Sequence, residues 1–239
     1  MKRFNTTDVF RTAFLEQMKG VNTSIPGHVL SFNPATQRAQ IQPGIQRVDI
    51  NGAAFNLPPI IDVPVSFPGD DFILEHEITS GCEGSVYFSQ RCIDSWKSSG
   101  GVAANPYGRF HDMQDAWFIP GIRSIPNVVQ NFANNGIRIR NASGSVYVWI
   151  KSDGTITASN GNAAVTINPD NSLSVGNSSG NMALSSGGTF NINGFQVDKN
   201  GNVQMASGAT FTSGAGVRFD GHKHTAVQTG TDVSGGPTN

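Results

Sequence analysis

The second half of the chain is a run of short apolar segments at nearly fixed spacing, and this feature constrains the fold most. After Asn134 the segments VYVWI, TITAS, AVTIN, LSVG, MALSS and TFNIN follow one another, with turn residues such as Asp153-Gly154 between them. Their apolar centres lie eight or nine residues apart, at Val148, Ile156, Val165, Leu173, Met182 and Phe190, and the series continues with Val203, Phe211 and Phe219. Such self-similarity predicts an elongated stack of small β units.

This short period has a consequence for assembly. It leaves about five residues per strand, of which two or three point inward. A single chain would therefore leave an apolar face and strand edges in water. Three copies wound about a common axis would close a triangular prism around the apolar side chains. We predict an intertwined homotrimer, a triple-stranded β-helix, and the alternative is a meander in a monomeric sandwich.

Residues 25–125, in the first half of the chain, are predicted to form short strands separated by turns. The stretch GHVLSFNPATQRAQIQPGIQRVDI alternates on each side of Asn33–Thr36, which predicts a hairpin. VPVSFPGDDFILEHEI and GSVYFSQRCI predict further strands. About five short antiparallel strands are typical of an OB-fold barrel, and a sandwich is the alternative. The whole chain is thus predicted to be all-β apart from one helix.

That helix is predicted over residues 6–20. Phe10, Phe14 and Met18 recur at four-residue spacing, Asp8 lies in the first turn and Gly20 closes the segment. Two interpretations are open. The helix packs on its own domain, or it is an apolar arm that docks on a partner.

Composition narrows the classes of function. The net charge is −1 and 14% of residues are charged, so the sequence offers no electrostatic reason to expect a nucleic-acid partner. The opening MKRFNTTD does not resemble a signal peptide, and no apolar run is long enough for a transmembrane helix. Cys82 and Cys92 are predicted to be reduced thiols, with a disulfide as the alternative.

Two histidines near the end of the chain are the candidate metal ligands. His222 and His224 are two residues apart, so on an extended strand they share a face. One chain supplies two ligands, whereas a threefold prism would bring six imidazole nitrogens to one point on its axis. Six nitrogens suit an octahedral transition metal better than Zn²⁺, which prefers four ligands. The metal would hold together the end of the prism, where strands tend to fray.

No catalytic set emerges from the carboxylates. Glu75 and Glu77 of LEHEI alternate with His76, which predicts a solvated strand. The group His111, Asp112 and Asp115 lacks a partner nucleophile, so we interpret it as a domain-closing turn. The phosphate-binding, serine-hydrolase and zinc-protease motifs are absent from the sequence. We therefore expect no enzymatic activity.

One pair of basic residues was considered as a nucleic-acid contact. Arg138 and Arg140 share a strand face in GIRIR. Two arginines do not make a nucleic-acid groove, and we expect no nucleic-acid partner.

Three segments together resemble the central membrane-piercing spikes of contractile-tailed bacteriophages. These are GHKHTAVQTGTDVSGGPTN at the end, the hairpin GHVLSFNPATQRAQIQP, and VYFSQRCIDSW with GRFHDMQDAWFIPG. The resemblance implies a trimer with an OB-fold, a triple-stranded β-helix and a pointed apex. It also implies that His222 and His224 of three chains bind one iron ion. Two features depart from the family pattern: the N-terminal helix, and the absence of Gly-Gly after the second histidine.

The sequence thus predicts four regions and a mechanical role. The regions are a helical arm (1–24), an OB-fold domain (25–125), a triple-stranded β-helix (126–219) and a metal-binding apex (220–239). We expect a virion protein at the tip of the tail baseplate, assembled in the host cytoplasm, attached to the hub or tail tube protein and piercing the host outer membrane during contraction. The alternative function is a trimeric tail-fibre tip or adhesin that binds a surface glycan.

Overall fold

The computed structural model describes residues 5–216 and 218. Within it the chain divides into two compact units, Met1–Val128 and Val129–Asn239. The first unit begins with helix α1, Thr6–Met18, and the side-chain oxygen of Asn5 caps it by accepting a hydrogen bond from the Thr7 backbone N–H. The predicted helix is confirmed. None of its residues is buried, so packing of α1 on its own domain is not observed.

The first unit contains seven strands and a second short helix among its described residues. The strands are β1 (Ser24–Asn33), β2 (Arg38–Pro43), β3 (Arg47–Val48), β4 (Ala54–Phe55), β5 (Ile60–Pro64), β6 (Glu83–Phe88) and β7 (Ala116–Pro120), and helix α2 is Asp94–Ser99. The predicted hairpin is β1–β2, and the Asn33 side chain accepts hydrogen bonds from the backbone of Ala35 and Thr36 in its turn. Strands β3 and β4 form a separate small hairpin.

The remaining five strands form one curled sheet in the order β5-β2-β1-β6-β7. Its two ends approach each other, because Val65 forms a parallel bridge with Phe118 and the Ser66 N–H donates to the Phe118 carbonyl. A five-stranded, partly closed barrel of this kind is the architecture of the OB-fold. Its core contains Val29, Ile41, Val63, Val86 and Phe118, each at most 1% exposed. The curled sheet, whose ends are bridged, therefore fits the predicted OB-fold better than the alternative, a sandwich.

One strand prediction in this unit was wrong. LEHEI does not form a strand, since residues 74–79 have no ladder partner. The segment contacts the barrel through single side chains and not through a backbone ladder. Ile78 is instead buried in the core, and the His76 ring lies 5.2 Å from the Phe67 ring.

The second unit is a nine-stranded antiparallel sheet, here called the repeat sheet. Its strands follow chain order, and each pairs with the next: β8 (Gly136–Arg140), β9 (Tyr147–Lys151), β10 (Ile156–Ser159), β11 (Ala163–Ile167), β12 (Leu173–Asn177), β13 (Gly180–Leu184), β14 (Phe190–Ile192), β15 (Phe195–Val197) and β16 (Val203–Gln204). The predicted succession of short strands is confirmed. Sequence reasoning missed β15, which follows β14 through the two-residue turn Asn193-Gly194, where both φ angles are positive.

Five of the eight turns between the described strands of the repeat sheet share one hydrogen-bond arrangement. A side-chain oxygen of Asp or Asn accepts a hydrogen bond from the backbone N–H two residues later, which is the Asx-turn arrangement. It occurs at Asp153, Asn160, Asp170, Asn177 and Asp198. Hydrogen bonds from the turns also lower the pKa of the three aspartates. These five reversals of the chain are therefore specified within a few residues.

The structure contains one chain, so the intertwined trimer and its threefold axis stay predictions. The predicted apex, residues 220–239, lies outside the described residues. In the described part, no helix has both the length and the hydropathy needed to cross a bilayer.

Candidate assembly surface

One face of the repeat sheet is apolar from its first strand to its last. The strand register places apolar residues directly opposite one another in two continuous rows, with neighbouring side chains in contact range. One row, here called the outer row, is Ile137, Ile150, Ile156, Ile167, Leu173, Leu184, Phe190, Val197 and Val203. The inner row is Ile139, Val148, Ala158, Val165, Val175, Met182, Ile192 and Phe195. We call these two rows the apolar face.

This face is open to solvent in the single chain. Ile137 is 72% exposed, Ile150 50% and Val203 61%. Among the described residues of the repeat sheet, the one buried side chain is Thr157, which points to the opposite face. Large contiguous apolar surfaces are rare on soluble monomers and mark interaction sites. The apolar face is therefore the candidate functional surface of this unit.

The opposite face of the repeat sheet is polar, with one aromatic cluster. Its central row runs Arg138, Trp149, Thr157, Thr166, Ser174, Ala183, Asn191, Gln196 and Gln204. Arg138 and Lys151 both stack on the Trp149 ring, at 4.9 and 4.8 Å from its centroid. Tyr147 meets the same ring edge-on.

Arg138 and Arg140, on this polar face, both bond to the segment that precedes β8. Arg138 donates to the Asn131 carbonyl at 2.9 Å, and Arg140 donates to the Gln130 carbonyl at 2.8 Å. Both guanidinium groups thus fasten the segment before β8 to the sheet.

The most tightly organised polar cluster lies in the first unit, around Arg109. Its guanidinium forms a bidentate pair with Asp115, through Nε to Oδ2 at 2.9 Å and Nη2 to Oδ1 at 2.8 Å. The same Nη2 lies 2.7 Å from Asp94 Oδ2 and 3.1 Å from Cys92 Sγ. The Asp115 side chain is 1% exposed, and it also accepts a hydrogen bond from the Ile93 backbone N–H. The cluster therefore connects α2, the preceding loop and the start of β7.

Electrostatics in this cluster favour the charged forms. The hydrogen bond from Arg109 lowers the pKa of Asp94. Burial alone would raise the pKa of Asp115, but the hydrogen bonds from Arg109 and Ile93 outweigh burial and leave that pKa below its usual value. Hydrogen bonds to the two carboxylates raise the pKa of Arg109. The three side chains form a stable charged unit.

Cys92, Asp94 and Asp115 lie close enough together for their ligand atoms to hold a metal ion. The Arg109 guanidinium already bonds to all three, and a fixed positive charge at that point disfavours a cation. The cluster is therefore better explained as a structural clamp. Cys82 and Cys92 are both free thiols, as predicted.

The other members of the predicted HDMQD group serve separate contacts. His111 Nδ1 lies 2.9 Å from the Asn22 carbonyl, and the Asn22 side chain donates to the His111 carbonyl. Asp112 accepts from the Gln114 backbone N–H. The group does not converge on an acid–base site, which agrees with the prediction of a turn. Sequence reasoning missed Arg109 and Asp94, because no short motif links residues 15 positions apart.

The predicted metal ligands, His222 and His224, lie outside the described residues. Their convergence and the iron ion therefore stay predictions.

Comparison with known proteins supplies one match. Residues 25–121 match the family model described as "Phage protein Gp138 N-terminal domain". This range begins one residue into β1 and ends one residue after β7. The search of curated proteins found no match. The barrel is thus similar to a phage protein domain, and this similarity indicates a structural protein of a phage and a component of its virion.

Proposed function

We propose that this protein is the central spike of a contractile phage baseplate, a homotrimer that pierces the host outer membrane. The observation that carries the proposal is the apolar face, which is continuous over nine strands and uncovered in one chain. The similarity of the barrel to a phage protein domain supports a structural role in a phage. The role is mechanical and needs no catalytic site.

The apolar face is the reason for assembly. Its two rows contain no charged side chain, so water is a poor solvent for the whole surface. Burying it between three copies removes an area of the kind that otherwise promotes aggregation. A prism with an apolar interior and polar outer faces is also stiff, because interiors pack to crystal-like density. Stiffness is what a needle needs to transmit the force of sheath contraction.

The end of the chain supplies the tip in this proposal. His222 and His224 from three chains provide six imidazole nitrogens for one transition-metal ion, and the family resemblance implies iron. The ion fastens three strand ends at one point. Because histidine binds metal in its neutral form, we expect the ion to be lost as the pH falls through about 6.

The N-terminal arm and the barrel attach the spike to the hub or tail tube in this proposal. Helix α1 presents Phe10, Phe14 and Met18 to solvent, at 72%, 64% and 49% exposure. An isolated helix of this length is marginal in water, so a protein surface that covers these side chains would stabilise it. The Asn22–His111 hydrogen bonds fix the point where the arm leaves the barrel.

The test combines solution molar mass with elemental analysis of the full chain. We expect a trimer with one transition-metal ion per three chains. The double variant His222→Ala/His224→Ala should lose the ion, whereas the matched variant His76→Ala, in the barrel, should keep it. A metal-free monomer would overturn the proposal. A metal content that stays constant from about pH 7.5 to about pH 4.5 would overturn histidine ligation alone.

A tail-fibre tip or adhesin that binds a surface glycan is the second candidate. Tyr147 and Trp149 on the polar face favour it, because aromatic rings often stack on apolar faces of ligands. Arg138 and Lys151, however, already lie over the Trp149 ring. Binding of the purified trimer to a glycan array, abolished in Trp149→Ala, would favour this candidate over the spike.

A further inference from the structure

The apolar face is indented on one side. An open cleft of about 530 Å³ lies there, and its apolar walls include Val146, Val148, Val165 and Val175. Ala158 lies between Val148 and Val165 in the inner row, and it is the one member of that row smaller than valine. The cleft is thus the place where the row lacks side-chain volume.

The outer row has no such gap, since each of its members is Ile, Leu, Phe or Val. It adjoins the turns at 152–155 and 168–172, whereas the inner row adjoins the turns at 141–146 and 160–162. Ile156 and Ala158 both belong to β10 and face the same side. At strand β10 the apolar face is therefore bulky along the outer row, at Ile156, and indented along the inner row, at Ala158.

This difference in size distinguishes two ways of packing copies face to face. When copies run parallel about an axis along the stack, the bulky row of one meets the indented row of the next at the same level. When copies run antiparallel, bulky meets bulky, which leaves the cleft empty and forces large side chains together. Voids and overpacking both destabilise an interface. Size complementarity therefore favours parallel copies in register.

We infer that, between neighbouring copies of this chain, Ile156 of one copy is seated in the cleft at Ala158 of the next. The occupant of the cleft is a second copy, because the outer row carries a large apolar side chain, Ile156, on the same strand as Ala158. Arg140 also lines the cleft, but its guanidinium is already bonded to the Gln130 carbonyl. This inference rests on the proposed assembly and adds one contact pair, which needs the same parallel arrangement that the proposed tip requires. Parallel copies bring all chain ends to the same end of the stack, as a single tip requires.

Cysteine cross-linking tests the contact. Full-length chains carrying Ile156→Cys are co-assembled with chains carrying Ala158→Cys, treated with a mild thiol oxidant such as diamide, and run on a non-reducing gel. We expect a covalent pair from the mixture and none from either variant alone. Two matched controls define the background: the wild type, with Cys82 and Cys92, and a mixture of Ile156→Cys with Thr157→Cys, whose second cysteine points to the opposite face.

The outcomes separate this inference from the proposed function. A covalent pair from Ile156→Cys alone would show bulky rows in contact and overturn the inference. A mixture that gives no pair, while light scattering still shows a trimer, would also overturn it and leave the trimer standing. A monomer by light scattering would overturn the proposed assembly itself. A dimer that cross-links in the mixture would support the contact and overturn the threefold axis.

A size exchange gives a second readout that does not depend on cysteine chemistry. Ala158→Ile overfills the cleft, so we expect the concentration for half-dissociation to rise about tenfold or more. Ile156→Ala leaves a void and should weaken assembly in the same direction. The double variant Ile156→Ala/Ala158→Ile returns the volume to the contact and should assemble better than either single variant. Strictly additive losses would contradict the inference.

Discussion

The barrel and the repeat sheet are built from similarly short, alternating strands, yet only the barrel closes over its apolar side chains. Val29, Ile41 and Phe118 are fully buried, because the barrel sheet curls until Val65 and Phe118 form a bridge between its ends. The repeat sheet runs in chain order without such a return, and its apolar rows face solvent. The same alternation thus makes a core where a sheet closes on itself and an interface where it does not.

The largest expected effect comes from placing a charge on the apolar face. Val165→Asp puts a carboxylate in the middle of the inner row, and three copies would bury three unpaired charges, each at a cost of several kcal/mol. We expect light scattering to show monomers. Thr166→Asp is the matched control, since the neighbouring residue points to the polar face. A trimer that survives Val165→Asp would contradict an apolar interface on this face.

The barrel should instead be sensitive to its internal clamp. Arg109→Ala leaves the buried Asp115 carboxylate without its bidentate partner, so we expect the free energy of unfolding of the first unit to fall by about 3 kcal/mol. Arg91→Ala is the matched control, because that guanidinium stacks on the Phe110 ring at the surface and should matter by about 1 kcal/mol or less. Denaturant unfolding monitored by tryptophan fluorescence measures both. Equal losses in the two variants would refute the clamp.

Acid should weaken the same clamp with a defined sign. The pKa values of Asp94 and Asp115 are lower in the folded chain than their ordinary values. Their stabilisation is therefore present above about pH 4 and is lost as the pH falls through the folded pKa values. We expect the difference in stability between wild type and Arg109→Ala to shrink from about pH 5 to about pH 2. A difference that is constant over this range would rule out these carboxylates as its source.

The smallest expected effect lies in a turn of the repeat sheet. The Asn160 side chain accepts from the backbone N–H groups of Asn162 and Ala163. Asn160→Ala should cost about 0.5–1 kcal/mol and speed hydrogen exchange in β10 and β11, without changing the oligomeric state. Asn162→Ala is the control in the same turn. Dissociation of the assembly by Asn160→Ala would show that the turns, and not the apolar face, hold the copies together.

Elements specified by neighbouring residues were predictable. Helix α1 follows from a four-residue apolar spacing, the β1–β2 hairpin from its Asn-Pro turn, and the repeat sheet from its period. The errors arose where a segment depends on distant partners. LEHEI has the alternation of a strand, but it contacts the barrel through Ile78 and His76 and pairs with no strand. Helix α2 is tied to Arg109, which lies well beyond it in the chain, and no local pattern predicts that contact.

The apolar face was likewise predictable only in part. Alternation alone indicated that Val148, Ile156 and Val165 share a face, and the prediction of further chains came from their exposure in so short a repeat. The cleft at Ala158 required the strand register, because its walls come from neighbouring strands.

The sequence by itself determined most strands and turns of the repeat sheet, and the side to which their apolar residues point. These properties depend on backbone periodicity and on hydrogen bonds within a few residues. The tertiary structure alone decided which sheet closes, which face is left open, and how Arg109 meets Asp94 and Asp115. These outcomes depend on burial and pairing between residues far apart in the chain, which no local pattern records.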